Sequence, residues 1–178
     1  WVDPLGLSSI KDGCPKGGVL DSADEKALID EALAWQGPHN KGYPNKDTYS
    51  GVIKLKAGDI VYGLFPGPSE YYTTQETVDK FGHSSRAMNE ALQVWPSDYG
   101  RSPGDYKYRP SLAKWRVTKD IYVPIGPVSA NTQWGEGGGT QIFIKDYESS
   151  LDLVEVTDLS DNSPSDKISS LKAKLDKK

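Results

Sequence analysis

The chain reads as helix for one short stretch and as many short strands afterwards. This change of period near residue 50 limits the folds open to it. Before it, Ser22 and Glu25 stand three apart as a capping box. Leu28, Ile29, Ala32, Leu33 and Trp35 then recur at helical spacing until Gly37-Pro38 ends the run. After residue 50, apolar residues come in brief runs cut by Gly, Pro, Asn and Asp. Strands are expected at 51–55 and 59–65, joined as a hairpin through Lys56-Ala57-Gly58, and at 71–74, 92–95, 115–117, 121–123, 140–144 and 151–156. Two short helices are expected between them, one capped by Thr73 with Glu76 and running to Lys80, the other over 84–90. The pattern predicts an α+β domain: an N-terminal helix followed by a mixed or antiparallel sheet of short strands.

The flanks differ from this body. Residues 8–21, punctuated by Asp12-Gly13, Pro15 and Gly17-Gly18, read as a linker, leaving 22–159 as the domain. Residues 160–178 are Ser-, Asp- and Lys-rich. Ser165 is placed to cap a short amphipathic helix carrying Ile168, Leu171 and Leu175. A helix that short is marginal alone in water, so this polar tail is either frayed or docked.

Composition excludes several chemistries. A net charge of −4 argues against a general phosphate-backbone binder. One cysteine, Cys14, permits no internal disulfide and no Cys-rich zinc site, and two histidines, His39 and His83, give no His cluster, so no metal is expected. No segment is apolar enough to span a bilayer and no secretory signal is recognisable, which predicts export by a carrier and no membrane partner. Walker, nucleophile-elbow and zinc-protease motifs are missing. Cys14 sits in the linker, where a nucleophile would be poorly held. His83, with Arg86 nearby, offers acid–base cleavage of RNA as one alternative. The segment 131–144 is more distinctive. Gly137-Gly138-Gly139 lead straight into a strand beginning Thr140-Gln141, and consecutive glycines are kept where backbone takes unusual angles or approaches a ligand closely.

Two resemblances give these residues a context. Trp1-Val2-Asp3-Pro4-Leu5-Gly6-Leu7 resembles the D-P-x-G-L signature that closes the core of RHS/YD-repeat proteins. That resemblance implies that residues 1–7 end the RHS core and that the chain beyond Leu7 is a toxin. It would be held in an RHS shell and exported by a secretion system such as type VI. It would act in the target-cell cytoplasm and be neutralised by a cognate immunity protein.

Residues 105–145 resemble TNT-type NAD glycohydrolases through Gly139-Thr140-Gln141, Trp115-Arg116-Val117 and Ile125-Gly126. Lys80-Phe81-Gly82 stands where that family carries Arg-Phe-Gly, so Arg109 or Arg101 becomes the candidate for a pyrophosphate. The strand at 59–65 followed by Tyr71-Tyr72-Thr73-Thr74 and a short helix resembles the front half of ADP-ribosyltransferase-like folds. This implies nicotinamide stacking on Tyr71 or Tyr72, and Tyr62 or Tyr49 in place of a first-strand Arg or His. Gln141 stands where a transferase has its glutamate, with Glu136 or Glu148 as substitutes.

The resulting expectation is NAD as substrate. Gln141 and Glu136 would be catalytic, with Tyr62, Tyr71, Tyr72, Arg109 and Trp134 binding the dinucleotide. Hydrolysis of the ribose–nicotinamide bond leads. Transfer of ADP-ribose to a macromolecular acceptor such as a translation component comes second, then a nuclease, then a toxin that acts by binding alone.

Overall fold

The computed structural model describes residues 20–36, 48–98, 104–131 and 133–177. The release signature, Cys14, His39, Arg101 and most of the expected linker lie outside them. Helix α1 (Ser22–Trp35) is followed by strands β1 (Gly51–Leu55), β2 (Ile60–Phe65) and β3 (Tyr71–Tyr72), and by helices α2 (Gln75–Phe81) and α3 (Ser85–Ala91). Strands β4 (Ser111–Val117), β5 (Ile121–Pro127) and β6 (Thr140–Phe143) come next. The single turn α4 (Tyr147–Ser150), strand β7 (Leu151–Asp158) and helix α5 (Asp166–Asp176) complete the order. The class is α+β, with five helices among the described residues.

The strands form two antiparallel sheets, ordered β1-β5-β6-β3 and β2-β4-β7. The main core draws from both: Leu55, Val123 and Ile142 from the first, Val61, Val117 and Leu151 from the second, with Tyr72 among them. The far face of the second sheet carries Leu64 and Leu112, which pack with Met88 of α3. Strand alternation accounts for this division, since neighbouring residues point to opposite faces.

Several expectations need correction. β1 and β2 do not form a hairpin: β1 pairs with β5 and β2 with β4. The turn at 56–59 instead carries the chain from one sheet to the other, and β4 to β5 makes the same crossing. The two crossings are tied by Gly58 N donating to Val117 O at 2.8 Å and Ala57 N to Asp120 Oδ1 at 3.0 Å. No strand forms at 92–95, because Gln93 takes φ 58° and turns the chain as α3 ends. Helix α1 is capped by Asp21, accepting from Asp24 N at 2.9 Å, and not by Ser22. Helix α2 is likewise capped one residue later than expected, by Thr74. Trp35 closes the apolar stripe of α1, yet it remains half exposed.

The C-terminal segment is docked. Its approach is held by Ser85 N donating to Ser160 O, Arg86 N to Asp161 O and Tyr108 N to Asn162 O, at 2.7, 3.0 and 2.8 Å. Ser165 caps α5 through Ile168 N. Ile168 then buries against Tyr108 and Trp134, and Leu171 and Leu175 pack beside it. Burial of this face, more than helix propensity, stabilises so short a helix. Ile168→Ala should therefore lower unfolding stability by about 2–5 kcal/mol, as core truncations do. Urea denaturation checks this, and an unchanged midpoint would mean that α5 contributes nothing to the fold.

Candidate active site

The site is set by how β6 begins. The chain leaves β5, loops through 128–139 and returns as β6, antiparallel to both β5 and β3. Two buried threonines fix the return. Thr73 Oγ1 donates to Thr140 O at 2.6 Å, and Thr140 N donates to Thr77 Oγ1 at 3.0 Å. Gln93 holds the loop from the other side. Its Oε1 accepts from Asn131 N at 3.0 Å, and its Nε2 donates to Glu90 O and Gly135 O, both at 2.9 Å.

The glycines serve this packing. Gly137 has φ +68°, and a Cβ there would lie 2.8 Å from Val128 O. A Cβ on Gly139 would meet Leu92 Cδ2 at 2.8 Å and Ala91 O at 3.0 Å. The close approach expected of a ligand is thus made by the protein's own α3 terminus and by the end of β5.

Beside this junction lies a cavity of about 250 Å³. Tyr62, Tyr71, Tyr72, Arg109 and Gln141 all line it, together with Gln36, Gln93 and Asn131. Five of the seven expected site residues therefore converge from β2, β3, β6 and the segment before β4. Gln141 is 7% exposed, and its Nε2 donates to Tyr49 Oη at 2.9 Å. Tyr71 packs edge-on against Phe143, its partner across β3 and β6, and Phe143 packs against half-exposed Trp35. The Tyr62 hydroxyl donates to Gln75 Oε1. Tyr72 stands edge-on to Trp115 at 6.2 Å, and burial pushes its phenol well above the usual tyrosine range. Arg109 Nη1 donates to Gly67 O at 2.7 Å and to Leu64 O at 3.4 Å, and the residue makes no ion pair among the described residues.

Three buried side-chain polar atoms lack a partner among the described residues: Gln36 Oε1, Tyr72 Oη and Arg109 Nε. All three belong to residues of the cavity wall. A buried polar group without a partner costs roughly 1–3 kcal/mol, so their concentration here marks a place built to receive polar atoms from elsewhere. Gln36 was not foreseen, because nothing in a polar residue just past a helix end signals burial.

Two expected residues are not in the wall. Glu136 is exposed on the loop, outside the cavity lining. Trp134 is 1% exposed and packs edge-on with Trp95 at 5.5 Å, beside Tyr108 and Ile168. It is a core anchor for the loop, because so large an apolar ring is stabilised most by complete burial. Among the substitutes, Glu148 lies on α4 in a separate surface depression. His83 and Lys80 are exposed and also outside the cavity wall. Arg86 is engaged with Ser163 O at 3.0 Å through Nε and with Asp161 at 3.7 Å. Among the described residues no group of His, Cys, Asp and Glu is arranged to hold a metal ion. No described helix is long and apolar enough to cross a membrane.

Fold and cavity together define a small α+β domain with one polar, aromatic-walled cleft, and comparison with known proteins gives its family. Residues 24–146 match the model of the Rhs1 C-terminal toxin domain, and the chain belongs to that family. It is a delivered toxin effector domain of the Rhs type. It is similar to the solved structure of Rhs1-CT in complex with its cognate immunity protein RhsI1, with 32% identity and a TM-score of 0.64 over 75% of this chain and 96% of that one. Tse6, solved in complex with Tsi6, is 15% identical with a TM-score of 0.42 over 73% and 93% of the two chains. No curated protein matches.

Glu90 supports the loop from beneath, with Gly135 packed on it and Tyr108 Oη donating to its Oε1 at 3.3 Å. Burial pushes its carboxyl above the usual range, against the lowering effects of the Tyr108 hydrogen bond and the Arg86 charge. A raised carboxyl binds its proton more tightly in the folded state. Its stabilising contribution is therefore complete below the unfolded value and is lost as pH rises through the folded one. Glu90→Gln keeps an acceptor for Tyr108 and removes the charge. Its stability relative to wild type should increase as pH rises from about 4 towards 7. Denaturation midpoints across that range test this, and parallel curves would contradict it.

Proposed function

We propose that this domain cleaves NAD at the ribose–nicotinamide bond, as a glycohydrolase acting in the cytoplasm of the target cell. The observation that carries the reading is the convergence of Gln141, Arg109 and three tyrosines on one cavity whose walls hold every unpaired buried polar atom of the described residues. At about 250 Å³ the cavity sits just under the usual range for small-molecule sites, enough for the nicotinamide riboside half of a dinucleotide and not the whole.

The roles derive from side-chain chemistry. The C1′–N bond breaks with its electron pair leaving on nicotinamide, which departs neutral, so no strong general acid is needed. The ribose acquires oxocarbenium character and water adds at C1′, losing its proton to solvent. Gln141, held through Nε2 by Tyr49, presents its carbonyl to a ribose hydroxyl or to that water. Arg109, with its Nε unpaired, suits the pyrophosphate. Tyr71, backed by Phe143, offers a ring face to the base. Hydrolysis is favoured over transfer to a macromolecule because no carboxylate lines the cavity to activate an acceptor nucleophile. A nuclease acting through His83 has less support, since that residue is exposed and Arg86 is already bonded elsewhere.

The resemblance of the N-terminal residues to the RHS release signature supports an RHS shell and a secretion system as the route of delivery. The complex of the similar Rhs1-CT supports a cognate immunity protein as the partner of this domain. Incubating purified domain with NAD should release nicotinamide. Gln141→Ala should lower the turnover number about 100-fold or more while leaving thermal unfolding within a few degrees of wild type. Absence of nicotinamide release by the wild-type domain would overturn the reading. Labelled NAD with cell lysate would reveal transfer instead.

A further inference from the structure

Among the described residues, the large apolar side chains left exposed are Trp35 and three from a single strand, Leu153, Val154 and Val156, at 48, 47 and 41%. That strand is β7, the edge of the second sheet. One side pairs with β4, and no described strand pairs with the other. From Asp152 to Asp158 every residue is exposed. A long, apolar, unpaired edge is a template for another strand, and proteins commonly blunt or cover such edges.

The charges on β7 discriminate between occupants. The strand carries Asp152, Glu155 and Asp158 and no basic residue. Antiparallel pairing with a second copy about its middle would set Glu155 against Glu155 and Asp152 against Asp158. Like charges directly opposite are destabilising. Arg116, 3.6 Å from Asp152, lies on the inner neighbour β4 and neutralises only that end. A strand with basic side chains meets no such repulsion. The family match ends at residue 146, before β7 begins. A surface private to one toxin–inhibitor pair is expected in a part of the chain that the family model does not share.

We propose that the cognate immunity protein docks on β7, adding an edge strand that bears lysine or arginine against Glu155 and apolar residues over Leu153 and Val156. The main-chain ladder supplies affinity and the side chains supply pair specificity. This rests on the reading that an immunity protein binds this domain, and not on the NAD chemistry. β7 contributes nothing to the cavity wall, so the bound inhibitor grips the toxin away from the cavity.

Calorimetric titration of the purified domain with its cognate immunity protein, alongside Glu155→Lys and Val156→Arg, tests the proposal. Each substitution should weaken binding on the order of 30-fold or more, with thermal unfolding and cavity chemistry unchanged. Hydrogen exchange at 152–158 should be fast in the free domain and slow in the complex. If the wild-type domain does not bind the immunity protein, the partnership itself falls and this surface with it. If it binds, but the variants bind equally and exchange at 152–158 is unaltered, the partnership stands and the surface is wrong. Protection of 152–158 already in the free domain, or a wild-type dimer abolished by Val156→Arg, would show another segment or a second copy there and would likewise overturn it. Should either variant fail to fold, the exchange comparison on wild type decides.

Discussion

Two threonine hydroxyls, buried where β3 runs into α2, hold both backbone groups of Thr140. The site depends on this clamp. It sets the phase of β6, and because side chains alternate along a strand, one residue of slippage would exchange its two faces. As held, Ile142 faces the core shared by the two sheets. Gln141 and Phe143 take the opposite face, where Gln141 reaches the cavity and Phe143 packs with Tyr71 and Trp35. The clamp has a partner in Gln93, whose left-handed backbone and doubly used amide tie the 128–139 loop to the end of α3. Loop, helix and strand thus form one rigid junction, as a preorganised site requires.

The cavity beside the junction runs against the general economy of the fold. Elsewhere buried polar side chains are satisfied. Asn89 Nδ2 donates to Ser85 O and Arg109 O at 2.8 and 3.2 Å, and its Oδ1 accepts from Arg109 N. That network locks the backbone of Arg109 while its Nε is left unpaired. An acceptor, a phenol and a guanidinium nitrogen unpaired around one space reduce stability, and such local violations are where function is commonly placed.

Much of this was legible from local pattern. The helices over 22–35, 75–81 and 85–91, the strands at 51–55 and 140–143 and the docking face of α5 arise from spacing and caps that act within a few residues. Five cavity residues were also legible, because aromatic, amide and guanidinium groups near strand ends belong to a narrow set of chemistries. Trp134 and Glu136 were misplaced for a common reason. Proximity in sequence to Gln141 does not survive a loop whose glycines fold it against α3. Trp134 goes to the Tyr108–Ile168 cluster and Glu136 to solvent. Gln36 was invisible because its burial depends on what packs across from the end of α1.

The sequence by itself determined the element types, most caps, the need for glycine at 137 and 139, and the toxin context. Each of these is written in short-range sterics, hydrogen bonding or a contiguous motif. The tertiary structure alone decided that β1 and β2 part company into separate sheets and that Arg109 reaches the tyrosines of β2 and β3. It also decided that β7 is left as an open, acidic edge. Strand partners are chosen by the summed burial of faces brought together from distant segments, and no local window of the chain contains that sum.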